Sequence, residues 1–235
     1  MIKILQNWRE IGDAIGYLNS LGDNKLTRIY HTNPVKNWDM AQIASILRNK
    51  PKNIKILDMG CGGSSVLRFC FKNKFKYIYG IDLTIDFHDR WQQLMYWKNN
   101  NYRLPYHLSV QSVTKTNFKN HFFDILICLS VIEHNVILEK FICESSRILK
   151  KGGYLYVSTD YWENKINTFD SPVNYGIEPG KDWSIFSKQE IKNFILIAGN
   201  YGLELVKKEF PQVKQQVINW NSKNYTFISI LFIKK

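Results

Sequence analysis

Apolar positions along the chain alternate between short continuous runs and faces with helical spacing. The continuous runs predict strands at 54–59, 77–82, 106–111, 123–130 and 153–160. The helical spacing predicts helices at 38–48, 64–73, 86–98 and 136–149, and from 187 onward. Strands that alternate with helices in this way are typical of a parallel sheet covered on both faces.

The two ends of the chain depart from this alternation. The last apolar runs, "LELVKKEF" and "YTFISILFI", have only a loop between them, so they predict an antiparallel hairpin. The expected fold is therefore α/β, a doubly wound and mostly parallel seven-stranded sheet with an antiparallel C-terminal hairpin. We expect residues 1–37, with a candidate helix at 3–18, to form an N-terminal cap segment on a domain of residues 38–235.

Composition fits a globular α/β protein. The chain has 235 residues, of which 45% are hydrophobic. No apolar run approaches the length of a membrane span, and the first residues are too polar for a signal peptide. The four cysteines lack CxxC spacing, which predicts free thiols and a cytoplasmic location.

A net charge of +12 raises the question of a nucleic-acid partner. The lysines are spread along the chain, however, without an arginine cluster or zinc-ligand spacing. The loop at 161–186 is acidic, with Glu163, Asp170, Glu178 and Asp182 against Lys165 and Lys181. We therefore expect a small-molecule or glycan substrate instead of a nucleic acid, and leave the oligomeric state open.

The stretch "ILDMGCGG" places glycines directly after a predicted strand, where backbone can approach a ligand. A dinucleotide fingerprint would use Gly60 and Gly62, but its third position is Ser65. Asp58 would oppose a pyrophosphate at the helix N-terminus and suits a positively charged ligand instead. Asp82 ends the next strand, where a carboxylate can hold ribose hydroxyls. Asp82 fits either cofactor, but Asp58 favours S-adenosylmethionine over a dinucleotide.

The segments "ILDMGCGGSS", "YGID", "FDILICLSVIEH" and "RILKKGGYLYVST" resemble, in order and spacing, the motifs of class I S-adenosylmethionine-dependent methyltransferases. The resemblance covers residues 38–235. It implies S-adenosylmethionine as the cofactor. It also implies a cofactor site formed by Asp58, Gly60, Cys61, Gly62, Asp82, Leu83, Gln111, Ser112 and Leu129. Ser112 stands where the family often has an aspartate near the adenine amine.

The segment "LSVIEHN" leaves the fourth strand beside the expected methyl position. Glu133 and His134 resemble the Glu-His pair of several methyltransferase branches. In ubiquinone-pathway and small-RNA O-methyltransferases a longer E-x-x-E-H pattern binds a divalent metal, but here Ser130 replaces the first glutamate, so no metal site is predicted. We predict His134 as a general base, with Glu133 and Asp160 as further catalytic residues. The alternative is that Glu133 and His134 cap the next helix and hold the cofactor cleft shut.

The segment after the fifth strand resembles "TDYW…K" loops of methyltransferases encoded among bacterial surface-polysaccharide genes. Its aromatic residues Tyr161, Trp162 and Trp183 are candidates to stack on a sugar. The alternative for Trp162 and Trp183 is that they are core anchors of the long loop. The sequence thus predicts an O-methyltransferase for a sugar or sugar-containing intermediate in glycan or capsule biosynthesis. The alternative acceptors are RNA and a small aromatic or lipid-like molecule. A non-catalytic cofactor-binding regulator is disfavoured because the glycine loop is intact.

Overall fold

A computed structural model describes residues 1–21, 31, 33–63, 65–98, 100–101, 103–171, 173–175, 178–181 and 183–235. Asp182 of the acidic loop lies outside these residues. The helices are α1 (Trp8–Ser20), α2 (Asn37–Leu47), α3 (Ser65–Lys72), α4 (Phe87–Lys98), α5 (Leu138–Ile148) and α6 (Lys188–Asn200), and a 3-10 turn covers Pro34–Lys36.

The strands alternate with these helices through the middle of the chain, as predicted. They are β1 (Ile2–Ile4), β2 (Lys55–Met59), β3 (Tyr77–Asp82), β4 (His107–Val110), β5 (Phe123–Leu129), β6 (Leu149–Trp162), β7 (Val173–Tyr175), β8 (Glu178–Lys181), β9 (Phe186–Ser187), β10 (Leu203–Leu205), β11 (Ile218–Trp220) and β12 (Lys223–Lys234). The central parallel strands β2 and β5 are mostly apolar and buried, because both faces of the sheet are covered there.

The main sheet has the strand order β1-β12-β6-β5-β2-β3-β4. Strands β4, β3, β2, β5 and β6 are parallel, and β12 pairs antiparallel with β6. The short strands β1, β10 and β11 share the outer edge of β12. Strand β9 pairs in parallel with the last two residues of β6. This arrangement confirms the predicted Rossmann-like methyltransferase fold with antiparallel strands at the C-terminus.

The main differences from the predicted boundaries lie after α5 and at the N-terminus. The predicted helix at 136–149 ends at Ile148, and β6 begins at once with Leu149, so the lysines at 150 and 151 lie in a strand. The candidate helix at 3–18 is a strand at Ile2–Ile4 followed by a helix from Trp8.

The N-terminal segment takes part in the sheet as well as covering it. Ile2 and Ile4 pair with β12 and lie in the hydrophobic core between the sheet and α5 and α6. Helices α1 and α2 supply Leu18 and Ile43 to the core on the opposite face. The segment predicted as a cap therefore contributes to both faces of the domain.

The parallel register brings the functional strand ends to one edge of the sheet. Asp58 of β2 lies opposite Gly80 of β3 and Ile127 of β5. The carboxyl ends of these strands, at Asp82 and Leu129, therefore lie beside the glycine loop, which is where ligands bind in open α/β sheets.

Candidate functional site: a cofactor loop and an acidic acceptor side

The glycine loop after β2 is closely packed against the turn that follows β5. Gly60 has φ +83°, and a Cβ placed there would come within 2.2 Å of Val131 Cγ2. The backbone N–H groups of Gly60 and Cys61 both donate to the carbonyl of Ile81, at 2.8 and 3.0 Å. A residue other than glycine at position 60 would be strained and would displace Val131.

Asp82 is fixed by its own loop. Its Oδ2 accepts the Gly62 N–H at 3.0 Å and its Oδ1 accepts the Thr84 N–H at 3.3 Å. Its carbonyl accepts the N–H of Gln111 at 2.9 Å. Since each carboxylate oxygen can accept more than one hydrogen bond, both retain capacity for ribose hydroxyls. The fixed carboxylate therefore fits the role expected of it.

Asp58 is buried, with 3% of its surface exposed. Burial, and then repulsion by the Asp82 carboxylate, raises the pKa of Asp58 well above its usual range. A ligand with a positive charge near these two carboxylates would relieve that repulsion. The acids therefore fit a cofactor that carries an ammonium and a sulfonium group.

Sequence reasoning missed Asp89, which lies in the first turn of α4 and is 4% exposed. Burial raises the pKa of the Cys61 thiol, and the carboxylates of Asp58, Asp82 and Asp89 raise it further. The Cys61 thiol is therefore neutral, and Asp89 is a third carboxylate close to the cofactor loop. An acidic residue in the first turn of a helix is expected simply to stabilise that helix. The sequence therefore did not indicate that Asp89 lies near the cofactor loop.

The remaining predicted cofactor residues differ in their exposure. Leu83 is 60% exposed, and Leu129 ends β5 half-buried. The side chain of Gln111 donates to Ser109 Oγ at 2.7 Å and accepts the Asn117 N–H at 2.7 Å. The Ser112 hydroxyl lies 2.8 Å from the hydroxyl of Thr114. The side chains of Gln111 and Ser112 thus form hydrogen bonds within the segment that follows β4.

The turn after β5 has a strained backbone. Ser130 has φ +50° and Asn135 has φ +54°, which are uncommon values for residues other than glycine. The N–H of Ser130 donates to the carbonyl of Ser158 at 2.9 Å, which ties the turn to β6. Strain of this kind persists only where the surroundings hold the backbone in place, and it is often found at functional sites.

Glu133 and Asp160, two of the predicted catalytic residues, are buried at 2% and 5% exposure. Glu133 Oε2 accepts a hydrogen bond from Thr159 Oγ1 at 2.8 Å, and its carbonyl accepts the Ser184 N–H at 2.9 Å. Burial raises the pKa of Glu133 and, more strongly, that of Asp160, which Glu133 also repels. Glu133 therefore anchors the turn, and its ionisation disfavours the ionisation of Asp160.

His134 follows Glu133 and is half-buried. Its backbone N–H donates to the carbonyl of Val131 at 3.1 Å. Burial, followed by the positive charge of Lys36, lowers the pKa of His134 to about 4. At neutral pH the imidazole is therefore uncharged and can accept a proton.

Lys36 is a site residue that the sequence did not reveal. Its ammonium donates to Ser130 Oγ and lies 3.8 Å from the centroid of the Phe227 ring. Its charge also acts on Asp39, whose pKa is raised to about 6, mainly by burial. Lys36 is 94 residues from Ser130 in sequence, and no local pattern marks that contact.

Two of the three aromatic residues predicted to contact substrate are in the core. Trp183 is 1% exposed and its indole N–H donates to the carbonyl of Ser171 at 2.7 Å. Tyr161 is fully buried, whereas Trp162 is half-buried. This placement corrects the prediction that Tyr161 and Trp183 present faces to a sugar. Tyr161 lies in the core between the sheet and α5 and α6, and Trp183 anchors the long loop, which is the alternative considered above for that residue.

Within the described ranges, no group of three or more His, Cys, Asp or Glu side chains is arranged to hold a metal ion. Over the same residues, none of the helices combines the length and apolar character needed to cross a membrane.

Comparison with known proteins agrees with this geometry. A family model described as "Methyltransferase domain" matches residues 57–157. The ubiquinone biosynthesis O-methyltransferase of Pelagibacter ubique (strain HTCC1062) is 31% identical over 164 residues, which cover 67% of this chain and 61% of that protein. The enzyme of the same name from Rickettsia canadensis (strain McKiel) is 26% identical over 67% of this chain and 59% of its own length.

Solved structures share the fold at low sequence identity. A geranyl diphosphate methyltransferase in complex with S-adenosylmethionine superposes with a TM-score of 0.63 at 14% identity, covering 94% of each chain. The geranyl diphosphate C-methyltransferase of Streptomyces coelicolor A3(2) gives 0.62 at 14% identity, covering 96% of this chain and 93% of its own.

The strand order and the glycine loop after β2 are those of the class I methyltransferase fold. Residues 57–157 form an S-adenosylmethionine-dependent methyltransferase domain, with S-adenosylmethionine as its cofactor. The chain spans about three fifths of the length of the curated relatives it matches.

Proposed function

We propose that the protein is an O-methyltransferase that methylates a hydroxyl group of a small acceptor. The observation that carries this proposal is the placement of His134, half-buried in the turn after β5 and next in sequence to the buried Glu133. The same turn packs on the cofactor loop through Val131 and Gly60. A base close to the cofactor is what a hydroxyl acceptor needs, whereas an amine or thiol can react through alignment alone.

The residues of this chain have separate parts in the reaction. Asp58 and Asp82 would hold the cofactor, which supplies the activated methyl group. His134 would take the proton from the acceptor hydroxyl. Glu133, fixed by Thr159, would hold the turn so that His134 and the cofactor loop keep their spacing. The packing of this turn would also exclude water.

The first acceptor class is a sugar or a sugar-containing intermediate of glycan or capsule biosynthesis. Its support is the polar loop after β6 and its resemblance to loops of polysaccharide-linked methyltransferases. That support is reduced, because Tyr161 and Trp183 are buried and only Trp162 is available as a partly exposed aromatic face.

A small aromatic or lipid-like acceptor has more support. The curated relatives are named ubiquinone biosynthesis O-methyltransferases. In addition, large apolar side chains are exposed near the cofactor side of the sheet, where an apolar molecule could approach. They are Leu83, Phe87, Trp91 and Val110.

The acceptor class can be tested directly with methyl-labelled S-adenosylmethionine. The acceptors would be catechols with and without an isoprenoid tail, nucleotide-activated sugars, glycan fragments and total RNA, each in a separate reaction. Label in a catechol supports the second class, and label in a carbohydrate supports the first. Transfer to RNA alone, or only to amines and thiols, would overturn the proposal.

The proposed location is the cytoplasm. The four cysteines are free thiols, with Cys61, Cys70 and Cys128 buried and Cys143 exposed. Free thiols fit a reducing compartment.

A further inference from the structure

Three buried carboxyl groups of the domain are affected by the charge of a single lysine, Lys36. Asp39, Glu133 and Asp160 come from α2, the turn after β5, and β6, and are 0%, 2% and 5% exposed. The charge of Lys36 acts on each of the three. Buried carboxylates are costly unless a positive group or hydrogen bonds compensate them. The position of Lys36 therefore matters to all three.

Lys36 is held in this position by the fold. Asn33 accepts the N–H of Val35 at 3.2 Å at the start of the 3-10 turn, and Asn37 Nδ2 donates to the carbonyl of Pro34 at 3.2 Å at its end. The Lys36 ammonium then reaches Ser130 Oγ.

The Phe227 ring lies under the same ammonium, at 3.8 Å from its centroid. Cation–π attraction and the bond to Ser130 restrain an otherwise flexible side chain.

We propose that Lys36 is a positioning residue of the methyl-transfer site, which holds the turn after β5 through Ser130 and supplies the positive charge that the buried carboxyls share. The inference rests on the proposed function to the extent that His134 is the base.

The charge of Lys36 has a defined consequence for His134. A nearby cation disfavours the protonated imidazole, so Lys36 helps to keep His134 uncharged at neutral pH, and it also makes the imidazole a weaker base. Glu133 is adjacent in the chain, and Asp39 and Asp160 face the same lysine. The charge of Lys36 also acts on His31. The pKa of His31 is lowered first by burial and then by Lys36, with Arg68 adding a smaller effect.

The test compares Lys36→Met, which removes the charge but keeps an apolar stem over Phe227, with Lys36→Arg, which keeps the charge. Lys140→Met, on the exposed face of α5, is the matched control. The full chain with bound S-adenosylhomocysteine is titrated by NMR, with the His134 signal assigned by its loss in His134→Gln. Calorimetry follows cofactor affinity, and thermal melting confirms that each variant is folded.

In Lys36→Met we expect the His134 titration midpoint to rise by roughly half to one pH unit. The acid limb of the kcat/KM profile should move upward with it, while S-adenosylhomocysteine affinity stays within about twofold of the wild-type value. Lys36→Arg should give the wild-type His134 midpoint and the wild-type acid limb of the kcat/KM profile. Lys140→Met should change neither of these two quantities. A purely structural role for Lys36 would not move the titration and would not depend on the charge.

Ser130→Ala separates positioning from charge. It removes the hydrogen bond and keeps the ammonium, so the His134 midpoint should stay at the wild-type value while kcat falls about 3- to 10-fold. This variant also provides a test if Lys36→Met does not fold.

An unchanged His134 midpoint in Lys36→Met, or a Lys36→Arg protein that behaves like Lys36→Met, would overturn the inference. If Lys36→Met does not fold, an unchanged kcat in Ser130→Ala would overturn it. If instead the wild type methylates no hydroxyl acceptor, the proposed function fails, while the NMR titration still decides the role of the Lys36 charge.

Discussion

Asp82 and Gly62 are joined by a hydrogen bond of 3.0 Å from the glycine N–H to the Asp82 carboxylate. The bond links the end of β3 to the glycine loop after β2, across 20 residues of sequence. The carboxylate is therefore oriented by backbone before a ligand arrives. A site arranged in this way loses little conformational entropy on binding.

The first prediction concerns this carboxylate. Asp82→Ala should remove two charge-assisted hydrogen bonds to the cofactor ribose and leave the Gly62 and Thr84 N–H groups without their acceptor. We expect a loss of about 3–5 kcal/mol in cofactor binding, which is a hundredfold or more in affinity. Isothermal calorimetry with S-adenosylhomocysteine measures this loss. Asp170→Ala, at an exposed carboxylate paired with Lys223, is the control and should bind normally. Wild-type affinity in a folded Asp82→Ala protein would remove Asp82 from the cofactor site.

The second prediction concerns His134. His134→Ala should lower kcat by about 10²- to 10⁴-fold with little change in cofactor affinity, because a general base is lost. Its pKa is lowered to about 4, so the imidazole is the neutral, active form above that pH. Wild-type activity should therefore rise through about pH 4 and show no further rise from His134 between pH 6 and 8. Steady-state kinetics across this range provides the measurement.

The alternative for His134 gives a different result in the same experiment. If Glu133 and His134 only hold the cleft shut, then cofactor affinity and activity should fall together in His134→Ala. An activity that continues to rise with an apparent pKa near 6.5 would show that the imidazole is not shifted in the way the structure indicates.

The third prediction compares two glycines of the cofactor loop. Gly60 and Gly63 both have positive φ, +83° and +73°, but only at Gly60 would a Cβ meet another atom. Gly63→Ala should cost about 1 kcal/mol, from backbone strain alone. Gly60→Ala should cost more and weaken cofactor binding, because Val131 must move. Thermal melting and calorimetry on the matched pair separate strain from steric conflict. Equal effects of the two substitutions would mean that Val131 gives way without cost.

The central part of the fold could be predicted from sequence because its signals are local. The run ending in Asp58, the glycines after it and the strand ending in Asp82 each follow from periodicity and turn residues. The helix predicted from 187 onward begins with a capping box, in which the Ser187 N–H donates to Glu190 Oε2 at 2.7 Å and the Glu190 N–H donates to Ser187 Oγ at 3.3 Å. In these places local propensity and global packing agree.

The features that sequence reasoning missed depend on distant partners. The strand at Ile2–Ile4 is three residues long and is stabilised by pairing with Ile228–Ile230, at the other end of the chain. Lys36 gains its role from Ser130 and Phe227. The burial of Trp183 likewise depends on contacts with Trp220 and Tyr225 of the C-terminal strands. A residue type favoured at ligand sites is equally favoured in cores, and only tertiary structure distinguishes the two.

The last prediction concerns Asp39, which lies under the site on α2 and is fully buried. Tyr156 OH donates to its Oδ1 at 3.2 Å, and among the residues that the structure describes its Oδ2 has no hydrogen-bond partner. Burial raises the pKa of Asp39 from 3.8 to about 6, while Lys36 and hydrogen bonds oppose the rise. The folded state therefore binds a proton more tightly than the unfolded state, so stability is lost as pH rises from about 4 through about 6.

Asp39→Asn keeps the shape and the acceptor for Tyr156 but cannot ionise. It should match the wild type in thermal stability at pH 4 and be more stable by about 1–3 kcal/mol at pH 8. Thermal or urea unfolding at the two pH values measures the difference, and Asp13→Asn, at an exposed carboxylate of α1, is the control that should show none. A variant less stable than the wild type at pH 8 would show that the ionised Asp39 carboxylate stabilises the fold through the charge of Lys36, which contradicts the raised pKa. In that case Lys36 and Asp39 form a buried ion pair, and removing either charge should destabilise the fold.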